Sequence, residues 1–384
     1  MKQVSTSAPA TSGVPVRRRH GGEPILRPSQ NGWENGVTFN AAVVALGDRN
    51  DDEGQIAADL LGRAGLAAAA SQELVAIFYR GRPRRDAGYP MNRSHVGLAL
   101  FDAELTAVHR FPQPLLSPDP DPAAPDYLGV EDPRITRING GFVMVYCGCG
   151  WAGDTWRATL CAAESSDLLN WNKRGPMEFR PTGAQRPPAG HVNNKDGVLF
   201  PGRTDGWYHL LHRPMVGPLS DWAIHLARSR SLAGPWEDLG PILRARPGDG
   251  WTDTWVGAGA VPLPLGGGRF LEIYHSGHLA ADGSRLYTLG AAVLDLSRLD
   301  AARPGSVVES RLDHFMKPQT TWEIEGPYPD SVGNVLFTCG AYERDDDLCI
   351  IYGGGDTYVM AADVSRSELL AALDRSRASS SKSV

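Results

Sequence analysis

The stretch Gly141-Phe142-Val143-Met144-Val145-Tyr146, followed after a loop by Ala158-Thr159-Leu160-Cys161-Ala162-Ala163, carries the pattern that decides the fold. The first segment has the β-branched and aromatic composition of a strand and ends in tyrosine, and the second is a strand of small residues. Turn residues such as Asn139-Gly140 separate such segments, and helical periodicity longer than a turn or two is rare in the chain. The pattern predicts a mainly β protein.

The same plan of two strands returns four more times. The copies pair Glu73–Arg80 with Val96–Ala99, Gly206–Arg213 with Ala223–Ala227, Arg269–His275 with Tyr287–Ala292, and Asp347–Gly353 with Tyr358–Ala362. A repeat of several tens of residues with a strand pair in every unit is typical of a β-propeller, in which four-stranded sheets surround a central channel. The sequence therefore predicts an all-β, five-bladed β-propeller. A β-sandwich with accidental similarity between its units is the alternative.

Composition limits the domain organisation and the partners. The chain has 384 residues and a formal net charge of -6, which argues against a nucleic-acid interface. No stretch approaches the ~20 apolar residues that a membrane span needs, and the N-terminus has no apolar signal core, so we expect a cytoplasmic protein without membrane partners. We expect disordered tails at 1–18 and 376–384 around a catalytic propeller domain at 19–375.

The cysteines argue against metal and redox chemistry. Five are present, an odd number, and Cys147-Gly148-Cys149 lacks the paired spacing of a zinc site. We expect all five to be reduced core residues. Because a P-loop, a dinucleotide fingerprint and a His/Cys cluster with ligand spacing are also missing from the sequence, we expect no metal and no cofactor.

The run Gly129-Val130-Glu131-Asp132-Pro133-Arg134 is the strongest candidate for chemistry. Pro133 cannot donate to a sheet and biases the residue before it away from helix, so we expect Asp132 on a rigid extended loop just before a strand. One interpretation is an acid held for catalysis. The other is an Asx-type turn with Arg134 in a surface ion pair.

Polar residues recur at equivalent positions of the repeated units. These residues are Arg80, Tyr146, His212 with Arg213, Tyr274 with His275, and Tyr352 ahead of Asp356. Inner strands of a propeller converge on its axis, so we expect this set to meet in one central pocket. Buried charges without partners cost several kcal/mol, so such a set indicates a functional site more than packing.

The order and spacing of motifs along most of the chain resemble glycoside hydrolase family 130, the five-bladed propellers that include β-mannoside phosphorylases and a smaller number of β-mannosidases. The motifs are Trp33-Glu34-Asn35, Phe39-Asn40-Ala41-Ala42, Tyr79-Arg80-Gly81, Gly129–Arg134, Lys195–Pro201, Leu211-His212-Arg213-Pro214, Gly257-Ala258-Gly259, Tyr274-His275, Leu289–Asp295 and Tyr352–Thr357.

The resemblance implies that Asp132 is the general acid of an inverting reaction, protonating the leaving oxygen through a sugar hydroxyl. It also implies phosphate as the nucleophile, which requires no catalytic base. The residues expected to bind phosphate are Lys195, Arg213, His212, His275 and Asp356. Those expected to bind substrate are Asn40, Arg80, Ser94, Glu131, Arg134, Asp196 and Tyr274.

The match departs from the family at the position of Trp255, where many family phosphorylases carry a lysine. A lost cation weakens a phosphate site and favours water as the nucleophile, and hydrolysis would need a base. Asp253 and Asp154 are the available carboxylates, and an inverting pair lies roughly 6.5–9.5 Å apart.

Two further differences from the family are the absence of a proline after Asn40 and a longer segment Pro329–Gly333. Tryptophans in loop-like segments, such as Trp151 and Trp156, are equally consistent with sugar stacking and with packing.

The leading expectation is an enzyme, an inverting β-mannoside phosphorylase that converts a short β-mannoside and inorganic phosphate into mannose 1-phosphate. The alternatives are an inverting β-mannosidase and a propeller that only binds carbohydrate. We expect a small oligosaccharide or glycoside as partner, with a homo-oligomer possible. Aglycone and linkage are left open.

Overall fold

A computed structural model describes residues 13–47, 52–66, 73–85, 93–182, 192–248, 251–252, 255–280, 282–328 and 331–380. Within these ranges the α-helices are α1 (Asp52–Arg63), α2 (Thr321–Ile324) and α3 (Arg366–Ser380). Short 3₁₀ helices lie at Arg19–Gly22, Gly32–Glu34, Leu219–Asp221, Leu296–Arg298 and Pro304–Val307. None of the described helices combines the length and the apolar content needed to cross a membrane.

Most of the described chain is strand. The first twelve strands are β1 (Arg17–Arg18), β2 (Val37–Leu46), β3 (Leu74–Arg82), β4 (His95–Phe101), β5 (Ala107–Arg110), β6 (Gly129–Ile138), β7 (Gly141–Ala152), β8 (Thr155–Ser165), β9 (Asn172–Pro176), β10 (Phe179–Pro181), β11 (Asn194–Leu199) and β12 (Tyr208–Pro214). The others are β13 (Ile224–Ser229), β14 (Trp236–Leu243), β15 (Pro247–Gly248), β16 (Trp251–Thr252), β17 (Trp255–Gly257), β18 (Leu263–Gly266), β19 (Arg269–Leu279), β20 (Arg285–Asp295), β21 (Val308–Met316), β22 (Leu336–Arg344), β23 (Asp347–Gly354) and β24 (Tyr358–Ser365).

The strands form five blade sheets, which confirms the predicted five-bladed β-propeller. From the innermost strand outward, blade I is β2-β3-β4-β5, blade II is β6-β7-β8-β9 and blade III is β11-β12-β13-β14 with β10 parallel at its edge. Blade IV is β17-β19-β20-β21 with β18 also pairing β19, and blade V is β22-β23-β24-β1. Blade V therefore closes the ring, because β1 comes from the start of the chain and the other three strands come from its end.

Apolar side chains from adjacent blades bury each other around the ring. The five largest buried clusters lie between blades I and II, II and III, III and IV, IV and V, and V and I. All five cysteines are free and buried, as the sequence predicted; Cys161 and Cys349 lie in these clusters and the other three in smaller ones. Each blade is thus stabilised by both neighbours, and polar side chains remain for the central axis and the outer surface.

The tail boundaries differ from the prediction. Arg17-Arg18 is a strand that pairs with Asp363 and Ala362 of β24, and Arg17 Nη2 lies 2.7 Å from the carboxylate of Asp363. Val14 is buried in the cluster between blades IV and V, and α3 continues past Ser376 to Ser380. The segments 13–18 and 376–380 are therefore ordered despite their low apolar content. The first supplies the outer strand of blade V, and the second continues α3, which packs beside β21. Residues 1–12 and 381–384 lie outside the described ranges.

Candidate active site

Three inner strands carry a β-bulge at the same place, and each bulge turns a polar side chain toward the axis. The register of β2 shifts between Phe39 and Ala42, that of β6 between Glu131 and Arg134, and that of β11 between Lys195 and Val198. The residues in left-handed conformation at these bulges are Asn40 (φ 45°), Asp132 (φ 50°) and Asp196 (φ 55°). This conformation costs roughly 1 kcal/mol or more for residues with a Cβ, and Asn and Asp tolerate it best.

Asp132 therefore lies inside a strand and not on the loop that its proline suggested. Pro133 follows it within β6, where the bulge makes the missing N–H harmless. Asp132 is 5% exposed, and its Oδ1 accepts hydrogen bonds from Asn40 Nδ2 at 2.9 Å and from Arg80 Nη1 at 3.1 Å. Because both donors use Oδ1, Oδ2 is the oxygen that can carry a proton.

A chain of ion pairs extends from Asp132 to blade III. Arg80 donates to Ser94 Oγ at 2.8 Å and also pairs with Glu131, and Lys195 Nζ lies 3.2 Å from the other oxygen of Glu131. Burial disfavours the Glu131 carboxylate, but Arg80 and Lys195 outweigh it and lower the pKa of Glu131 to about 2. Burial likewise disfavours the Lys195 ammonium, yet Glu131 raises the pKa of Lys195 well above its usual value. Both cations stay charged beside Asp132.

A second cluster surrounds Asp196. Its Oδ2 lies 2.8 Å from Arg213 Nε and 3.4 Å from His275 Nε2, and its Oδ1 lies 3.5 Å from Arg134 Nη2. Burial opposes the charge on Asp196, but Arg213 and His275 outweigh it and hold its pKa far below the usual range. A Cβ on Gly257 would collide with Asp196 Oδ2 and with the ring of His275, so this arrangement requires glycine.

Arg134 holds three blades together beneath the site. It is 1% exposed and donates to the carbonyl oxygens of Asp132 (3.0 Å), Ala258 (3.0 Å) and Gly259 (3.2 Å). The surface ion pair considered from the sequence is therefore wrong. A fully buried guanidinium cannot donate to water, so its N–H groups must donate to acceptors within the protein. Arg134 therefore supports the backbone on both sides of the axis.

Asp356 is a further, partly buried carboxyl close to this cluster. Burial raises its pKa to about 6 against the opposing charges of Arg80 and Arg82, and the charge of Asp132 adds to the rise. The N–H of Val332 donates to this carboxyl, so the described end of the 329–333 segment packs against it. Asp356 therefore shares the electrostatic environment of Asp132.

Arg82 is a residue that the sequence analysis missed. It follows Arg80 by two positions on β3, so both side chains point to the same face of the strand. Its guanidinium lies 4.9 Å from the ring centroid of Tyr328, and its buried Nε makes no hydrogen bond within the described part of the chain. The spacing of Arg80 and Arg82, two residues apart along the chain, was the sequence feature that could have identified Arg82 as a site residue.

The structure does not bring Tyr274, Tyr146, Tyr352 or His212 into this cluster, which corrects the prediction for these residues. Successive side chains of a strand point to opposite faces, so Arg213 and His275 face the site while the residue before each faces the neighbouring blade. Tyr274 donates to Asp313, and His212 contacts the side chains of Asn194 and Asp238. Adjacent residues of a regular strand therefore do not share one pocket.

Tryptophans line part of the rim. Trp151 and Trp156 face each other across the β7–β8 hairpin and are 43% and 37% exposed, and Lys195 Nζ lies 5.6 Å from the Trp156 ring centroid. Trp255 is instead buried, with its ring against Gly277 and 5.3 Å from that of Tyr287. Its side chain serves packing and cannot supply the cation that a lysine would bring to this position.

Of the two candidate bases, Asp154 lies at the exposed turn of the β7–β8 hairpin and Asp253 lies outside the described residues. Within the described part of the chain, no hydrogen bond or ion pair orients Asp154, whereas Asp132 has two donors. A carboxylate that positions a water for attack must itself be held, so the geometry gives Asp154 no support as a base.

Comparisons with known proteins agree with this architecture. The family model described as beta-1,4-mannooligosaccharide phosphorylase matches residues 122–375. A 1,2-beta-oligomannan phosphorylase of Thermoanaerobacter sp. (strain X514) is 31% identical over 348 residues, covering 90% of this chain and 96% of that protein. A beta-1,2-mannobiose phosphorylase of the same organism is 28% identical, covering 90% of this chain and 96% of its own length.

Among solved structures, a beta-1,2-mannobiose phosphorylase from Listeria innocua in complex with beta-1,2-mannobiose superposes with a TM-score of 0.66. The two sequences are 21% identical, and the match covers 94% of this chain and 99% of the other. At this identity the superposition is evidence for the shared fold alone.

Proposed function

This chain belongs to glycoside hydrolase family 130, a family of glycoside phosphorylases, and from that premise we propose that it is an inverting β-mannoside phosphorylase. It cleaves a short β-mannoside with inorganic phosphate and releases mannose 1-phosphate. The observation that carries the proposal is a held carboxyl, Asp132, beside two groups of cations that face one axial site.

Asp132 supplies the proton for the departing oxygen. Departure of an alkoxide from the sugar is too slow without protonation, and a positioned acid contributes roughly 10²- to 10⁴-fold in rate. Arg80 and Asn40 fix Oδ1, so Oδ2 is the oxygen that delivers the proton, directly or through a hydroxyl of the sugar as the family resemblance implies. Asn40 Oδ1 is buried without a described partner and can accept from a sugar hydroxyl.

Basic side chains hold phosphate in line with the anomeric carbon, and His275 contributes as a neutral ring because burial lowers its pKa. Arg82 Nε, Arg213 Nε and the ring nitrogens of His275 are buried without hydrogen bonds within the described chain. Arg213 Nε is 2.8 Å from Asp196, close enough for an ion pair but poorly aligned for a hydrogen bond. Buried donors in native proteins are normally satisfied, and a phosphate dianion accepts several charged hydrogen bonds at once. Lys195 completes this set from the side of Glu131.

A phosphate nucleophile requires no base, and this agrees with the exposed position of Asp154. Hydrolysis needs a carboxylate that activates water on the face of the sugar opposite the acid. Of the two bases predicted from the sequence, Asp154 is exposed at a turn and Asp253 lies outside the described residues, so the described structure supports neither of them. We therefore rank the phosphorylase ahead of the β-mannosidase. A propeller that only bound carbohydrate would not require a general acid beside a group of cations.

The linkage that we propose is β-1,2. Both relatives that cover 90% of the chain are named for β-1,2-linked mannosides, whereas the matched family model is described by β-1,4-linked mannooligosaccharides. The exposed Trp151 and Trp156 offer ring faces for sugar units on the acceptor side. The cytoplasmic location and the oligomeric state stay predictions.

Product analysis tests the proposal. Purified protein is incubated with β-1,2-mannobiose or β-1,4-mannobiose, with and without phosphate, and mannose 1-phosphate and free mannose are quantified. We expect strict dependence on phosphate and an α-anomeric product, because inversion at a β-mannoside gives the α configuration. Arg213→Gln serves as the matched variant and is expected to raise the KM for phosphate with a smaller effect on the KM for mannobiose. Equal turnover without phosphate would identify a hydrolase.

A further inference from the structure

Four blades share a buried triad behind the site. The second strand of each blade carries a tyrosine whose hydroxyl donates to a carboxylate, and a cation on the outermost strand pairs with that carboxylate. The triads are Tyr79-Glu34-Arg110 in blade I, Tyr146-Asp126-Lys173 in blade II, Tyr274-Asp313-Arg311 in blade IV and Tyr352-Glu323-Arg18 in blade V. In each, the carboxylate accepts from a neutral hydroxyl and is balanced by at least one cation.

Blade III departs from this rule. His212 stands in the place of the tyrosine, the outermost strand β14 supplies the carboxylate Asp238, and His225 on β13 stands in the place of the cation. His212 and His225 are opposite each other in the strand register. His225 Nδ1 lies 3.0 Å from Asp238 Oδ1, and His212 Nε2 lies 3.5 Å from the same oxygen. The triad of this blade has two imidazoles and no fixed cation.

The contacts of His212 leave its Nε2 facing Asp238 without a hydrogen bond. The ring is 1% exposed and stacks on Phe179 with 4.5 Å between ring centroids. Nδ1 lies 3.0 Å from Asn194 Nδ2 and 3.3 Å from Asn194 Oδ1, so the orientation of the amide sets the tautomer; in the tautomer in which Nδ1 donates to Oδ1, Nε2 carries the lone pair. Nε2 is buried and has no hydrogen-bond partner in the described chain. In that tautomer two acceptor atoms face each other across 3.5 Å, and a cation between them would stabilise both.

We propose that His212 Nε2, His225 Nδ1 and Asp238 Oδ1 form a binding site for a divalent transition metal ion, with Zn²⁺ as the best fit. Tetrahedral Zn²⁺ with bonds of roughly 2.0–2.2 Å places its ligand atoms roughly 3.3–3.6 Å apart. The measured separations of 3.5 and 3.0 Å fit that geometry with small shifts, and all three ligand atoms lie within 4.8 Å of one another.

The surroundings match those of metal-binding histidines. The amide of Asn194 contacts Nδ1 of His212 on the far side of the ring, the position from which outer partners orient metal-binding histidines. Gly240 N–H donates to Asp238 at 2.9 Å and orients the carboxylate. His225 keeps 17% of its side chain exposed, which gives an ion a path from solvent. His212 lies on the face of β12 opposite Arg213, so the metal site is outside the phosphate site. A bound ion would hold together three strands of blade III, namely β12, β13 and β14.

Metal titration of the untagged protein in a non-coordinating buffer tests the site. We expect one equivalent of Co²⁺ to give the visible absorption of a four-coordinate ion, Zn²⁺ to displace it, and Zn²⁺ to raise the Tm. The decisive variant is His225→Lys, which rebuilds the carboxylate–lysine pair that Asp126 and Lys173 make in blade II. We expect this variant to fold with the Tm of the metal-free parent, to bind Co²⁺ at least about tenfold more weakly and to lose the Zn²⁺-dependent rise in Tm.

Two controls separate this site from others. His20→Gln removes an exposed histidine and should leave Co²⁺ binding unchanged. Glu131, Cys147 and Cys149 form a second group with ligand spacing, and thiolate ligation there would add an intense near-ultraviolet absorption that a His₂Asp site lacks. Absence of binding by the parent protein, a thiolate band as the main signal, or unchanged binding in His225→Lys would each overturn the proposal.

Discussion

Replacing Asp132 by asparagine separates the acid role from the structural role of this side chain. An asparagine here would be nearly isosteric, and its oxygen could still accept from Asn40 and Arg80 at the distances of the parent protein. Arg80 would keep its contacts with Glu131 and Ser94, so the guanidinium would stay paired. We therefore expect a loss of stability of about 1–2 kcal/mol, which is the range for one weakened charged hydrogen bond.

The expected loss of activity is much larger. Removing a general acid costs roughly 10²- to 10⁴-fold in kcat/KM, or about 3–5 kcal/mol in the activation free energy. The assay compares β-1,2-mannobiose with 4-nitrophenyl β-mannoside, whose leaving group departs without protonation. We expect Asp132→Asn to lose most of its activity on mannobiose and far less on the activated substrate.

The matched control is Asp196→Asn, which makes the same chemical change at an equivalent bulge in blade III. Because Asp196 pairs with Arg213 and His275, we expect that variant to change the KM for phosphate and to lose activity equally on both substrates. If Asp132→Asn also loses activity equally on both substrates, or keeps its activity on mannobiose, Asp132 is not the acid.

Three further predictions test the environment of the site. Arg82→Gln should raise the KM for phosphate about tenfold with a small change in Tm, measured by initial rates against phosphate concentration; an unchanged KM would place Arg82 outside the phosphate site. Glu272 is fully buried, and burial raises its pKa to about 8 against the Gly259 N–H and Arg134. The folded protein then keeps a proton that the unfolded chain releases above about pH 4.5, so its unfolding free energy should fall as pH rises toward 8, by at most ~1.4 kcal/mol per pH unit. Glu272→Gln should flatten this slope in urea unfolding at pH 5 to 8, and an unaltered slope would contradict the assignment. Gly257→Ala should cost about 1–3 kcal/mol and impair phosphate binding, because its Cβ would collide with Asp196 and His275; a variant with the parent Tm and KM would refute the close approach.

The fold was predictable because the sequence shows a repeated pattern of strand-forming segments. Each repeat shows a β-branched and aromatic run next to a run of small residues, and burial between blades needs only that pattern. The outer strand β1 was missed because Arg17-Arg18 has no apolar signal. It is ordered by pairing with β24 and by ion pairs such as Arg17–Asp363, which join residues 346 positions apart.

The site was predictable only in part. Residue types and motif order pointed to Asp132, Arg80, Lys195 and Arg213, which the structure brings to the axis. Side chains alternate between the two faces of a strand, and the sequence does not show which of two adjacent residues faces the axis. In the structure the tyrosines and His212 lie on the face that points away from it. Asn40, Asp132 and Asp196 occupy the three bulges and are residue types that tolerate left-handed backbone, but the same types are common in turns and did not predict bulges inside strands.

The central claim is that an oxygen of phosphate, and not of water, forms the new bond to the anomeric carbon while Asp132 protonates the departing sugar. The most direct measurement runs the reaction with β-1,2-mannobiose and ¹⁸O-labelled phosphate in ordinary water, and follows the products by mass spectrometry and ³¹P NMR. Attack by phosphate gives α-mannose 1-phosphate that retains every labelled oxygen, including the one bonded to the anomeric carbon. Phosphorolysis also releases one free mannose, the leaving sugar, for each mannose 1-phosphate; two free mannoses per mannobiose cleaved, without labelled mannose 1-phosphate, would contradict the claim.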